Sequence, residues 1–380
     1  MKLSDLACRG LTTLNNSEQD PLTVLVTGAG GFIGGRVVEM AYLSGFAKVI
    51  AGLRRWDSAA RVARFPVDMR LCDVLNPEQL TKNMKGVDAV VHCAYGDRQV
   101  TVEGTSNVLG AAYRLGVKRF VHISTVGVYG NVGGDVDETS PCTSMNDEYS
   151  DAKIEAEKLC WEYYAKGVPV LVLRPPIVYG PFSRNFTVGV AERICEGALG
   201  DMKNSADGLC NLLYVDDLVY CIFRSIRSDR SVGQVFNVNG PDKVTWNDYF
   251  REFAATLGVP KLKEINRAES RVRSTAHSLL LPVATFVGER YADAILRTGS
   301  KLGLEKSIGK FVSFFKTTPT NYDLRLYGRK AYFSYAKAAS MLGYLPQYDM
   351  VSGLKLCVKW LAHEGFLQRF RVKNPQLPET

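Results

Sequence analysis

The sequence predicts an α/β fold: a doubly wound parallel sheet followed by a smaller, mostly helical C-terminal region. Three observations predict it. Short β-branched runs alternate with helix-like stretches through the first half of the chain. Each run is continuously apolar rather than alternating, as strands buried on both faces require. The rhythm breaks after Arg174, and from Thr245 onward the pattern turns helical.

In chain order, residues 1–20 lack the continuous apolar core of a signal peptide and are expected to form a flexible tail. The strand runs are LTVLVTG (22–28), AKVIAGLR (47–54), DAVVHCA (88–94), KRFVHIST (118–125) and PVLVLRP (169–175). Helices are expected over Phe32–Leu43, Val102–Leu115 and Tyr149–Tyr164, with right-handed crossovers. The Pro- and Gly-rich RPPIVYGPFSRN reads as a long loop. LLYV (212–215) and QVFNVNG (234–240) are short strands placed to rejoin the sheet. The expected division is a sheet domain over 21–180, rejoined by about 212–240, and a substrate cap over 181–211 and 241–380.

With 380 residues, 46% hydrophobic and 23% charged, the chain has ordinary globular composition and enough apolar mass for a large core. Nine scattered cysteines without a CxxC pair imply reduced thiols and a cytoplasmic setting. The four histidines form no metal-spaced cluster, so no metal is expected. No apolar run reaches membrane-spanning length. The net charge of +8 is spread along the chain without a basic, aromatic-interleaved patch, which argues against nucleic acid.

VLVTGAGGFIGGRVV follows the first strand and opens a helix, with Gly28, Gly31 and Gly34 three apart. A glycine turn at a strand-to-helix junction lets backbone approach a pyrophosphate, while the helix N-terminus supplies free N–H groups and a positive dipole. This is the site of dinucleotide binding in a Rossmann-type sheet, with Phe32 and Ile33 in the same turn. No GK[ST] follows, which excludes a nucleoside-triphosphate loop. An acid at the end of the second strand would select NAD. Here Arg54 and Arg55 stand there instead, and forked guanidinium donors suit a 2′-phosphate. NADP is therefore preferred and NAD is the alternative. Asp73, with Val74 in LCDVL, is placed to meet the adenine.

In DEYSDAKIEAEK, Tyr149 and Lys153 lie one helical turn apart. That pair alone suits either proton chemistry or an ordinary helix surface. In context, TGAGGFIG, LCDV, VVHCA, ISTVGVYG, YSDAK and LRPPIVYGP occur in an order that resembles the extended short-chain dehydrogenase/reductases, over roughly Leu22 to Gly240 and weakly in KAASMLGYLP. The resemblance implies that Tyr149 is the acid/base tyrosine and that Lys153 lowers its pKa and meets the nicotinamide ribose. It also implies that Thr125 orients the substrate oxygen, and that Ala94 and the Pro175–Val178 loop line the cofactor.

Three departures from the family pattern narrow the reading. Thr101 stands where the family often has asparagine. Val126 and Gly127 replace the Asp-Glu pair of sugar-nucleotide dehydratases. Asn211 stands where many sugar-nucleotide members carry a diphosphate-binding arginine, closer to the hydroxysteroid-dehydrogenase and flavonoid-reductase branch. The expected function is hydride transfer between NAD(P) and a secondary alcohol or ketone, with a nucleotide-sugar epimerase as the alternative and a non-catalytic dinucleotide sensor disfavoured by the intact Tyr149, Lys153 and Thr125.

The substrate is expected to be a small molecule, a sugar nucleotide, sterol-like compound or other carbonyl or alcohol, meeting Gly96, Asp97, Val126, Asn185 and Phe186 beyond the carboxyl ends of the strands. The segment 278–318 mixes apolar patches with Lys301, Lys306, Lys310 and Lys316 and reads as a lid in preference to a membrane-facing helix. A homodimer is the expected assembly.

Overall fold

The structure, a computed structural model, describes residues 22–203, 207–259 and 320–373, with Leu262, Glu264, Ile265, Val272 and Thr275 between them. The leader 1–20, residues 204–206 and nearly all of 260–319, including the segment 278–318 with its expected lid role, lie outside the described residues. The chain divides into two compact units. The first holds the chain up to Tyr179, with Asn211–Asp242 and Tyr332–Asp349; the second holds Gly180–Cys210, Lys243–Ala331 and the chain from Met350.

The first unit is built on seven parallel strands: β1 (Thr23–Thr27), β2 (Lys48–Leu53), β3 (Asp68–Leu71), β4 (Ala89–His92), β5 (Arg119–Ile123), β6 (Val170–Arg174) and β7 (Val235–Asn237). Their order is β7-β6-β5-β4-β1-β2-β3. The strands are apolar throughout because both faces are covered. Val24, Val26, Val91, Val121, Leu171 and Leu173 point into one core, with α1 (Phe32–Ser44), α5 (Val215–Arg227) and α6 (Ala336–Leu342). Leu25, Val90, Phe120, Val170 and Val172 point into the other, with α2 (Pro77–Asn83), α3 (Arg98–Leu115) and α4 (Glu148–Ala165). The strand order reverses between β1 and β4, so a crevice opens at their carboxyl ends.

Of the two late strand runs, 235–237 joins the sheet beside β6, whereas 212–214 pairs in parallel with Ile177–Tyr179 as a separate two-stranded piece. Residues 332–349, read from sequence as cap, fold with the sheet unit. Asp217 accepts the N–H groups of Gln347 and Tyr348, and the Tyr344 hydroxyl donates to Asn239 O at 2.9 Å. Helix α3 begins at Arg98, four residues before its apolar periodicity, because the Asp97 carboxylate accepts the Val100 N–H at 2.8 Å and caps it.

The described part of the second unit is mainly helical. Trp246, Tyr249, Phe250, Phe253 and Tyr327 are buried together around the helix Trp246–Thr256, which starts at a Thr245–Asp248 capping box. Among the described residues no helix is long and apolar enough to cross a membrane.

Candidate active site

The site forms where β1, β4, β5 and α4 meet at the carboxyl end of the sheet. The glycine turn after β1 is shaped by close backbone approach. Gly28 has φ +67°, and a Cβ there would lie 2.8 Å from Ala94 N. A Cβ on Gly34 would lie 2.4 Å from Gly28 O, and one on Gly30 would meet Ser58 O at the same distance. Arg61 braces the turn from the 3₁₀ segment Trp56–Arg61, donating to Gly31 O at 3.1 Å and Phe32 O at 2.7 Å. Burial pushes its pKa down to about 10. Whereas Asn76, Asp97 and Asp147 cap α2, α3 and α4 with their side chains, no side chain caps α1. Its first N–H groups, at Phe32, Ile33 and Gly34, have no intrahelical acceptor. This cradle, with no side-chain cap on its helix, fits a dinucleotide pyrophosphate.

Beside the cradle, a directed chain of hydrogen bonds fixes the end of β4. Thr105 Oγ1 donates to Thr101 O at 2.5 Å, so it accepts from His92 Nε2 at 3.0 Å. His92 is then the Nε2–H tautomer, and its Nδ1 accepts from Thr27 Oγ1 at 2.8 Å. Thr27 Oγ1 in turn accepts the Ala94 N–H at 3.4 Å. Burial, followed by the nearby Lys153 charge, holds His92 down at about 3, and the same causes hold His122 well below its ordinary value. Both imidazoles are neutral at pH 7.

Helix α4 carries the Tyr149–Lys153 pair. Asn146 turns the chain with φ 54°, and the Asp147 carboxylate caps the helix by accepting from Ser150 N and Oγ. Ala152, Lys153, Ala156 and Cys160 are buried along one stripe, while Tyr149, at the exposed end of that stripe, is 40% accessible. Lys153 Nζ donates to Ile123 O at 2.8 Å, at the end of β5. Burial lowers its pKa to about 8, against the upward pull of Cys93, Cys160 and Glu157. Thr125, two residues past β5, accepts the Gly127 N–H at 3.1 Å, which leaves its hydroxyl proton to donate. Gly127 lets this turn press on α4, since a Cβ there would lie 2.9 Å from Ser150 Oγ. Val126 N–H donates to Pro175 O at 3.1 Å, tying the turn to the loop after β6.

Other expected site residues take varied places. Arg54 and Arg55 are exposed just after β2, and Arg55 pairs with Asp57 at 3.0 Å. Asp73 Oδ1 accepts the Leu75 N–H, and Val74 is buried under Gly104. Val126 and Val178 are buried. Asp97, expected to touch substrate, spends a carboxylate oxygen on the α3 cap. Asn185 and Phe186 belong to the second unit, where Phe186 O accepts from the Tyr249 hydroxyl at 2.5 Å.

Sequence reasoning missed three residues. The Tyr95 ring meets the Tyr149 ring edge-on at 6.0 Å, with Lys153 Nζ 5.9 Å from its centroid. Glu157, one turn beyond Lys153, accepts from Ser124 Oγ and from Arg174. Arg61 is the third. An aromatic directly after VVHCA is a local signal for the first; the others are long-range contacts.

A protein-family model described as the NAD dependent epimerase/dehydratase family matches residues 24–239. The 2-alkyl-3-oxoalkanoate reductase of Shewanella oneidensis is 26% identical over 315 residues, covering 73% of this chain and 80% of its own length. The N-acetyl-alpha-D-glucosaminyl-diphospho-ditrans,octacis-undecaprenol 4-epimerase of Escherichia coli O157:H7 is 29% identical over 234 residues, covering 58% and 68%. The UDP-glucuronic acid 4-epimerase of Bacillus cereus, solved in complex with NAD, shares the fold with a TM-score of 0.64 at 19% identity, over 90% of this chain and 99% of that one.

Proposed function

The chain belongs to the NAD dependent epimerase/dehydratase family, and on that premise we propose that it is an NADP-preferring oxidoreductase acting on a secondary alcohol or ketone. The observation that carries the oxidoreductase reading is the buried Lys153, on the stripe that ends in Tyr149 and pinned to Ile123 O, two residues before Thr125. In this reading Gly28, Gly31, Phe32, Ile33 and Gly34 hold the pyrophosphate and Arg54 meets the 2′-phosphate. Asp73 and Val74 meet the adenine, while Ala94, Lys153, Pro175 and Val178 hold the nicotinamide end. The nicotinamide dinucleotide, when bound, supplies the hydride chemistry.

The protein's part is proton transfer and positioning. Tyr149 Oη gives a proton to the substrate oxygen during reduction and takes it back during oxidation. A free phenol ionises near ~10, and the Lys153 ammonium favours the phenolate. With a pKa of about 8, Lys153 is still mostly charged at pH 7. The Thr125 hydroxyl donates to the same substrate oxygen.

Epimerisation of a nucleotide sugar is the second reading, favoured by the Escherichia coli relative. Asn211 weighs against it. This side chain is buried, its Oδ1 accepts from Asn239 Nδ2 at 2.9 Å and Phe333 N at 3.1 Å, and it brings no positive charge for a diphosphate. A homodimer and a cytoplasmic setting belong to the same proposal; the scattered cysteines support the latter.

The test is kcat/KM with NADP against NAD, followed at 340 nm over a panel of secondary alcohols. The wild type should favour NADP at least ~tenfold, about one charge-assisted hydrogen bond, and Arg54→Glu should reverse that ratio. Preference for NAD with Arg54 intact overturns the NADP assignment. Tightly retained cofactor with no net change at 340 nm favours the epimerase.

A further inference from the structure

We propose that Tyr95 selects the substrate: its ring is the wall beside Tyr149 against which a flat, apolar group next to the reacting carbonyl packs. This rests on the oxidoreductase reading and names the substrate class for it.

Tyr95 is 63% exposed, yet its backbone is held on both sides. Ala94 N–H is tied to Thr27 Oγ1 at 3.4 Å. On the other side the buried Thr101 hydroxyl accepts the Gly96 N–H at 3.3 Å and donates to Gly96 O at 3.2 Å. Thr101 stands where the family often has asparagine, and here it clamps the turn that presents Tyr95. A large exposed aromatic on a fixed backbone leaves apolar area in water that a ligand can cover. The ring is edge-on to Tyr149 at 73° and 6.0 Å, so whatever lies against it is beside the proposed proton donor.

Several polar groups of the turn and its surroundings are occupied. Thr101 is engaged with Gly96, an Asp97 oxygen with Val100 N, and Val126 N–H with Pro175 O. Gly96 packs on the Val100 side chain, where an added Cβ would sit 3.0 Å away. With the Gly96 backbone groups already engaged, what the turn adds beside Tyr149 is the Tyr95 ring face, a stacking surface for an aryl or fused-ring ketone.

The experiment uses the full chain loaded with NADP⁺ and acetophenone as probe, with binding read by saturation-transfer NMR. Saturation should reach the acetophenone ring protons in the wild type and in Tyr95→Phe, and binding should weaken about tenfold in Tyr95→Ala, with NADP⁺ affinity unchanged. UDP-glucose should not displace the probe. Absence of acetophenone binding, equal binding by Tyr95→Ala, or displacement by UDP-glucose overturns the assignment. Turnover separates the two claims: Tyr95-dependent binding with no change at 340 nm for acetophenone or for any member of the secondary-alcohol panel supports this wall and sinks the oxidoreductase reading.

Discussion

Replacing Glu157 with alanine should destabilise the sheet unit by about 3–5 kcal/mol. Glu157 and Arg174 are 3% and 5% exposed, so neither charge is solvated. The pair is bidentate, with Arg174 Nε at 3.0 Å from Oε1 and Nη2 at 2.5 Å from Oε2, and Ser124 Oγ also donates to Oε1 at 2.5 Å. Burial opposes the guanidinium charge, and Glu157 more than offsets it, raising the Arg174 pKa above its ordinary value. Nη1 is buried with no hydrogen-bond partner, and the Tyr129 ring lies 4.8 Å from the guanidinium carbon. Alanine at 157 therefore strands a buried cation and leaves the Ser124 hydroxyl without its acceptor. In a unit of this size the cost corresponds to a melting shift of roughly 10 °C. Thermal and urea unfolding of the single variant and of the double variant Glu157→Met/Arg174→Met provide the assay. The double variant should recover most of the loss, because an apolar pair leaves no buried charge. A cost below about 1 kcal/mol, or a double variant no more stable than Glu157→Ala, would refute the reasoning.

Two further predictions concern the cradle and its neighbour. Gly34→Ala puts a Cβ against backbone, 2.4 Å from Gly28 O, so the turn must open; cofactor affinity by titration calorimetry should fall at least ~tenfold, and unchanged affinity would contradict the cradle. His92 binds its proton near pH 3 in the folded chain and near 6.5 when unfolded. The unfolded state thus binds more protons between those values, and stability present above pH 6.5 is lost as pH falls toward 3. Urea unfolding at pH 4.5 should show about 3 kcal/mol lost through this residue relative to pH 7.5; a His92→Gln variant with the same pH dependence as wild type would contradict it.

The glycine turn and the strands of the sheet were readable because their signals are local. A β-branched run ending in TGAGG declares a buried strand and a tight turn within a dozen residues. The same holds for α4, where Tyr149 and Lys153 sit on a stripe that periodicity alone exposes. The remainder depends on partners distant in sequence. Glu157 acquires its part only when β6 brings Arg174 beside it, and Thr101 only when its hydroxyl closes on Gly96. The run 212–214 has strand composition, but nothing local tells it to pair with 177–179 rather than join the main sheet. The sheet unit claims 332–349 through carbonyl and carboxylate acceptors that no pattern marks.

The central claim is that Tyr149 moves the proton while other residues hold the cofactor. The most direct measurement pairs turnover at 340 nm with cofactor affinity in Tyr149→Phe, which removes one hydroxyl and leaves the ring against Tyr95. The account predicts a kcat at least ~10²-fold lower, as for loss of a general acid, with NADP affinity within about twofold of wild type. Full turnover without the hydroxyl would contradict it.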